Sequence, residues 1–217
     1  MRVIIGMETS GAIRQRLRDA GVDAYSVDLL PSIDNSPYHI QGDIFDVLAE
    51  EADWDWGVFH PDCTYLTNSA AWAFKDGPYH QKVKPSTLVG EPRRQARLSA
   101  LNTVRKLMLL PFPHAIENPV GSISTAIKKP TQIIQPYQFG DDASKNTCLW
   151  LHKLPKLVPT KYIEPRIVGG KNRWANQTDS GQNKLSPSSN RWQERSKTYP
   201  GIADAIVSQW TSYIESN

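Results

Sequence analysis

At 217 residues the chain has room for one substantial core, and a single domain over 1–217 is expected. An apolar fraction of 39% and a charged fraction of 22% exclude global disorder, and a net charge of +3 is too small to argue for a nucleic-acid partner by itself. The opening residues lack the apolar length of a signal peptide, no stretch approaches a membrane span, and Cys63 and Cys148 read as reduced thiols. A cytoplasmic protein with no membrane partner is therefore expected.

Residues 2–7 (RVIIGM) are a β-branched run, followed by Glu8-Thr9-Ser10-Gly11 and an amphipathic stretch over Ala12–Ala20 with Ile13 and Leu17 on one face. Asp23–Leu29 reads as a second strand, completing the proportions of a βαβ unit. Residues 40–44 look like a strand-to-loop junction, and Trp56–His60 suits a buried parallel strand that Pro61 ends. From Arg94 to Leu110 apolar residues recur at helical spacing; Pro111 and Pro113 stop that helix, and His114–Ile116 makes a brief strand before Glu117-Asn118-Pro119. Thr147–Leu151 is a further strand. Residues 165–198 are polar with Trp174 and Trp192 interspersed, either a flexible surface loop or a substrate-contacting one. A helix over Ile202–Tyr213 closes the chain. The alternation predicts a Rossmann-like α/β fold, a mainly parallel sheet with helices on both faces.

Polar residues gather where those strands end: Glu8 to Gly11, Asp28, Asp43, Cys63, then Glu117 and Asn118. In a doubly wound sheet these ends converge on one crevice. A turn before the first helix offers N–H groups to a carboxylate, an acid after the second strand suits ribose hydroxyls, and a later Asp suits an adenine amine. Glu-Thr-Ser-Gly has one glycine where dinucleotide loops have three, which argues against NAD or FAD.

The order E-T-S-G, V-D-L, G-D-I, H-P-D-C-T and I-E-N-P resembles the motif order of the cytosine-C5 DNA methyltransferases. The block N-R-W-A-N-Q-T-D-S-G-Q-N, followed by R-W-x-x-R-S-x-T-Y-P-G-I-A-D-A-I, is similar to the compact phage and prophage branch of that family. The resemblance implies a methyltransferase fold, S-adenosylmethionine as cofactor, and DNA, duplex or single-stranded, as partner. It implies Cys63 and Glu117 as catalytic residues, with Glu8, Thr9, Ser10, Gly11, Asp28, Asp43 and Pro61 around the cofactor. Thr64, Thr67, Asn68, Asn118, Lys145, Arg173, Trp174 and Arg195 are the corresponding substrate contacts. Residues 66–92 and 152–198 are the only stretches left for target recognition.

Cytosine C5 is a poor nucleophile, so methylation there needs a thiolate at C6 and a carboxyl group beside N3. A free thiol ionises near 8.5, so cations or dipoles must help Cys63, while burial against Ile116 and Pro119 is expected to keep Glu117 partly protonated. Cys148 reads as core packing, and His60 and His114 as structural residues whose spacing suggests no metal site. Trp72, Trp174 or Trp192 is expected to stack in the gap left by a flipped base. The family's Pro-Pro-Cys is Pro61-Asp62-Cys63 here, and a carboxylate beside the nucleophile raises its pKa if it points inward. RNA or a free cytosine nucleotide as substrate, and a catalytically silent cofactor- or nucleic-acid-binding protein, stay open as alternatives.

Overall fold

The computed structural model describes residues 1–51, 53–185 and 197–217. Its elements run β1 (Arg2–Gly6), α1 (Ala12–Asp19), β2 (Asp23–Asp28), β3 (His39–Gln41), α2 (Ile44–Glu50), β4 (Trp56–Phe59), α3 (Gly90–Leu107) and β5 (His114–Pro119). They continue with α4 (Ile123–Ala126), β6 (Gln132–Ile134), β7 (Thr147–His152), β8 (Arg166–Val168), β9 (Lys171–Arg173) and a closing helix, α5 (Pro200–Glu215). Short 3-10 turns lie at Ala71–Phe74 and Pro136–Gln138.

Seven strands form one sheet in the order β3-β2-β1-β4-β5-β7-β6. Pairing is parallel from β3 across to β5, and β7 runs antiparallel to both β5 and β6. Side chains alternate between two cores. Val3 and Ile5 of β1 join Trp56 and Val58 of β4 on the face covered by α1 and α5, where Ile13, Leu17, Ile206 and Trp210 pack. Ile4, Phe59 and Ile116 point the other way, toward Val47 of α2 and Leu101, Val104 and Leu107 of α3. Strands buried on both faces read as unbroken apolar runs, which is why β1 and β4 were legible. Trp210 is fully buried and meets Trp56 edge-on at 6.0 Å, a contact worth about 1 kcal/mol beyond its area. This strand order, with helices on both faces and an antiparallel β7, is a Rossmann-like methyltransferase fold.

Several boundaries differ from the sequence expectations for local reasons. Residues 40–44 divide into β3 and the start of α2, because the Asp43 carboxylate accepts the Phe45 N–H at 2.7 Å as an N-cap. Glu117-Asn118-Pro119 belongs to β5 rather than following it, since Glu117 pairs with Leu149 and Asn118 with Cys148. The polar stretch after 165 holds the β8–β9 hairpin, which turns through Gly169 and Gly170 at φ 55° and 72°, the positive pair a tight two-residue turn needs. Among the described residues no helix is long and apolar enough to cross a membrane.

Candidate active site

The chain leaves β1 toward β2 on one side and resumes at β4 on the other, so a crevice opens where these strands end. Met7 adopts φ 62° and turns the chain sharply out of β1. Glu8 is buried; its carboxylate accepts the Gly11 N–H at 3.0 Å and the Ser10 hydroxyl, so part of the turn expected to receive a cofactor carboxylate is held by the protein's own acid. Gly11 sits at φ 68°, where a Cβ would meet the Arg14 guanidinium at 2.2 Å. The Thr9 carbonyl accepts the Ile33 N–H at 2.9 Å, tying this turn to the loop after β2.

Asp28 ends β2, half-buried, with its carboxylate accepting the Leu30 N–H at 2.9 Å. Burial pushes its pKa up, more than the Leu30 N–H and His39 pull it down. Exposed Leu29 and Leu30 follow it. A carboxylate beside exposed apolar surface is the chemistry a nucleoside could use. Asp43 is exposed on the next loop, and its structural work is the cap on α2.

Arg14 lies beneath this wall with no exposure. It donates to Ser26 of β2 at 3.1 Å, to Ser36 at 2.7 Å and to Asp34 at 2.5 Å. The guanidinium holds the Asp34 carboxyl below its ordinary value against the upward push of burial.

Across the crevice, Pro61 is buried and Cys63 is exposed on a turn closed by bonds from Leu66 and Thr67 N–H to the Cys63 carbonyl, both 3.0 Å. Three anchors fix that turn. The Asn118 side chain, 2% exposed, donates to the Pro61 carbonyl at 2.7 Å. Ser122 donates its N–H (2.7 Å) and hydroxyl (3.0 Å) to the Leu66 carbonyl, with Gly121 bridged to Thr67. On the outer side Arg93 of α3 donates to the Thr64 carbonyl at 3.1 Å and Arg97 to the Tyr65 carbonyl at 3.0 Å, while Arg97 stacks on Phe74 at 3.3 Å. Neither arginine stands out in the sequence: Arg97 lies inside the helix expected over Arg94–Leu110 and Arg93 just before it.

Glu117 is 19% exposed, and its carboxylate lies 3.1 Å from Nδ1 of His60. Burial pushes the carboxyl up, but the His60 hydrogen bond and the charges of Lys145 and His60 outweigh it and hold Glu117 below its ordinary value. The expectation of a partly protonated Glu117 is thus corrected, because its neighbours win over its burial. His60, expected as a structural residue, lies at the site itself. It shares a cleft with Glu117, Lys145, Lys197, Thr198 and Tyr199. Although Cys63 is exposed as a residue, desolvation by the atoms packed around its sulfur pushes the thiol up, the carboxylates of Asp62 and Glu117 push the same way, and Lys145 pulls it down. Asp62 itself is folded back, accepting the Thr64 N–H and hydroxyl at 2.9 and 2.6 Å. Cys148 lies in the core and is pushed up to about 11 by burial and Glu117.

The crevice therefore brings together Glu8 to Gly11 and Asp28 on one side, and Pro61, Cys63, Thr64, Glu117 and Lys145 on the other. Thr67 and Asn68 continue the Cys63 turn, with the Thr67 hydroxyl accepting the Ser69 N–H and the Asn68 carbonyl the Ala71 N–H. Asn118 is too buried to meet a substrate and instead holds Pro61. Trp174 is corrected as well: it is 8% exposed, stacks on Tyr137 at 4.3 Å and donates its indole N–H to the Ile163 carbonyl. A ring so occupied does not fill a gap in a base stack. Arg173 is taken up locally, donating to the carbonyl of Asn172 in its own hairpin and to that of Asp179 in the turn beyond it. Trp72 is half-buried, edge-on to Tyr79 and His80 at 5.7 Å each. Arg195, Ser196 and Trp192 lie outside the described residues.

No family model matches the chain, and no curated protein matches it. Among solved structures it is similar to a triple mutant of DNMT2 from Spodoptera frugiperda, with 15% identity over 79% of this chain and a TM-score of 0.39. The chain covers 57% of that structure's length.

Proposed function

We propose that the chain transfers a methyl group from S-adenosylmethionine to C5 of cytosine in DNA through a covalent bond between Cys63 Sγ and C6 of the base. The observation that carries this reading is the clamp between the Cys63 turn and the end of β5, which seats a thiol and a carboxylate at one mouth of a Rossmann-like methyltransferase sheet. When bound, the cofactor supplies an electrophilic sulfonium methyl. Asp28, with Glu8, Thr9, Ser10, Gly11, Asp43 and Pro61, would hold it. Cys63 as thiolate adds to C6, the electrons displaced from C5=C6 pass toward N3, and a proton delivered at Glu117 captures them there. C5 gains the nucleophilicity it lacks in the free base. Thr64, Thr67, Asn68 and Lys145 border the space the base would enter, and Arg195 is the substrate contact proposed from the sequence resemblance alone.

Transfer of labelled methyl to duplex DNA, single-stranded DNA, RNA and dCTP tests the proposal, with Cys63→Ala as the control. Label in 5-methylcytosine of DNA that vanishes in the variant is the expected result. Label confined to RNA or dCTP reassigns the substrate, and label that survives Cys63→Ala overturns the covalent route. The upward push on the Cys63 thiol favours a second reading, a silent protein that binds cofactor or nucleic acid. Cofactor binding with no label on any substrate would establish it.

A further inference from the structure

The pairing of β4 with β5 has Phe59 opposite Ile116, so the next residues along, His60 and Glu117, fall side by side on the face covered by α5. The His60 backbone N–H still bonds to the Gly6 carbonyl of β1 at 3.0 Å, which fixes where its ring begins. Nδ1 lies 3.1 Å from Glu117 Oε2, and the buried Nε2 finds no hydrogen-bond partner among the described residues. An imidazole with one nitrogen committed to a carboxylate and the other buried without a partner carries a desolvation cost, a departure from the usual pairing of buried polar atoms that calls for a reason. Glu117 alone is a poor proton carrier, being held as a carboxylate by this same neighbour and by Lys145.

We propose that His60 is a positioning residue that orients Glu117 through Nδ1–H and stores the proton Glu117 delivers to cytosine N3. The inference rests on the methyl-transfer reading above. In the addition step the Cys63 Sγ lone pair forms the S–C6 bond. The C5=C6 pair moves to C4–C5, and the C4=N3 pair forms the new N3–H bond. That proton comes from His60 Nδ1 by way of the Glu117 carboxylate, which accepts it and passes it on to N3, so thiolate and imidazolium are consumed together and the adduct is neutral. Once C5 carries the methyl group and C4=N3 re-forms, N3 gives its proton back through Glu117 to His60; a water or hydroxide then takes the C5 hydrogen, its electron pair re-forms C5=C6 and the C6–S bond breaks to release the thiolate. The charged or titratable groups facing the pair are Lys145 ahead of β7, Lys197 and Tyr199 ahead of α5, and Asp62 and Cys63 on the loop that follows His60. β1 meets it through the uncharged Gly6 carbonyl.

His60→Asn keeps an N–H donor near the place of Nδ1 but cannot ionise. The expected result is unchanged cofactor binding and substrate KM, kcat lower by about 100-fold, and loss of the alkaline fall in rate that marks a required acid. A kcat and pH profile that superimpose on wild type overturn the proposal. Should His60→Asn fold poorly, nitrogen-15 NMR of the wild-type His60 ring, compared with Glu117→Gln, decides it. A downfield Nδ1–H resonance that is present in wild type and lost in Glu117→Gln is expected, and its absence from wild type overturns the Nδ1–H contact to Glu117 on which the proposal stands. Wild type that forms no 5-methylcytosine overturns the function and this inference with it, whereas active wild type with an insensitive His60→Asn overturns this inference alone.

Discussion

Gly121→Ala isolates the clamp from the chemistry, because glycine brings no functional group. A Cβ there would stand 2.0 Å from the Leu66 carbonyl oxygen, 2.9 Å from its carbon and 3.0 Å from Thr67 Cα. All three are backbone atoms, so no side chain can swing aside. Ordinary contact begins at 3.4 Å, and the Cys63 turn must retreat by about 1.4 Å. That carries both Ser122 bonds to the Leu66 carbonyl, now 2.7 and 3.0 Å, beyond hydrogen-bond reach. Two such bonds contribute about 2 kcal/mol, which for a chain of this size lowers the melting temperature by roughly 6 °C. A displacement of about 1 Å at a reacting group costs on the order of 100-fold in rate. Thermal unfolding measures the first effect, and methyl transfer at saturating cofactor the second, with cofactor affinity changed far less because, of the residues proposed to hold it, only Pro61 lies on the displaced side. A variant with wild-type melting and wild-type kcat would refute the claim that this contact places the nucleophile.

Asp62→Asn keeps an acceptor for the Thr64 N–H and removes the charge, so the pH midpoint for alkylation of Cys63 by iodoacetamide should move down; Lys145→Met should move it up. Unmoved midpoints in both would show that these charges do not govern the thiol. Trp174→Ala should destabilise the protein by about 3–5 kcal/mol in urea unfolding, through loss of a buried ring stacked on Tyr137. Burial holds the His114 imidazole below its ordinary value of 6.5, with His152 and Lys128 adding to the effect, so the unfolded chain takes up the proton first. Stability should therefore fall as pH drops through 6.5 and level off once the folded imidazole protonates. In His114→Phe, packed beside Phe59 and Phe112, that portion of the slope should be missing.

Much of the sheet was legible because its central strands carry dense apolar runs bounded by turn residues, as in Val3-Ile4-Ile5 and Trp56-Gly57-Val58-Phe59. β6 escaped because Gln132-Ile133-Ile134 is too short to show a period. α2 escaped although Asp43 before Ile44, Val47 and Leu48 carries a cap and a helical spacing. The spacing of strand ends placed the acids and the cysteine along the carboxyl edge of the sheet, but said nothing of their electrostatics. The low Glu117 carboxyl depends on His60 and Lys145, which lie far from it in sequence and reach it only once β4, β5 and β7 are aligned. Pairing Phe59 with Ile116 on paper would have exposed His60. Trp174 misled for the opposite reason: its polar surroundings in sequence hide the Tyr137 ring that covers it.

Arg14 links parts that the chain lists separately. One guanidinium, sealed from water, bolts α1 to β2 and to the loop at Asp34 and Ser36, and the Ile33–Thr9 bond adds a second fastening. Loosening it at one end would strand a charge in the interior, a cost of several kcal/mol. The floor and one wall of the crevice are thus a single stiff casting. The opposite wall is held in another way: the Cys63 turn hangs from Asn118, Ser122, Arg93 and Arg97 by its backbone carbonyls.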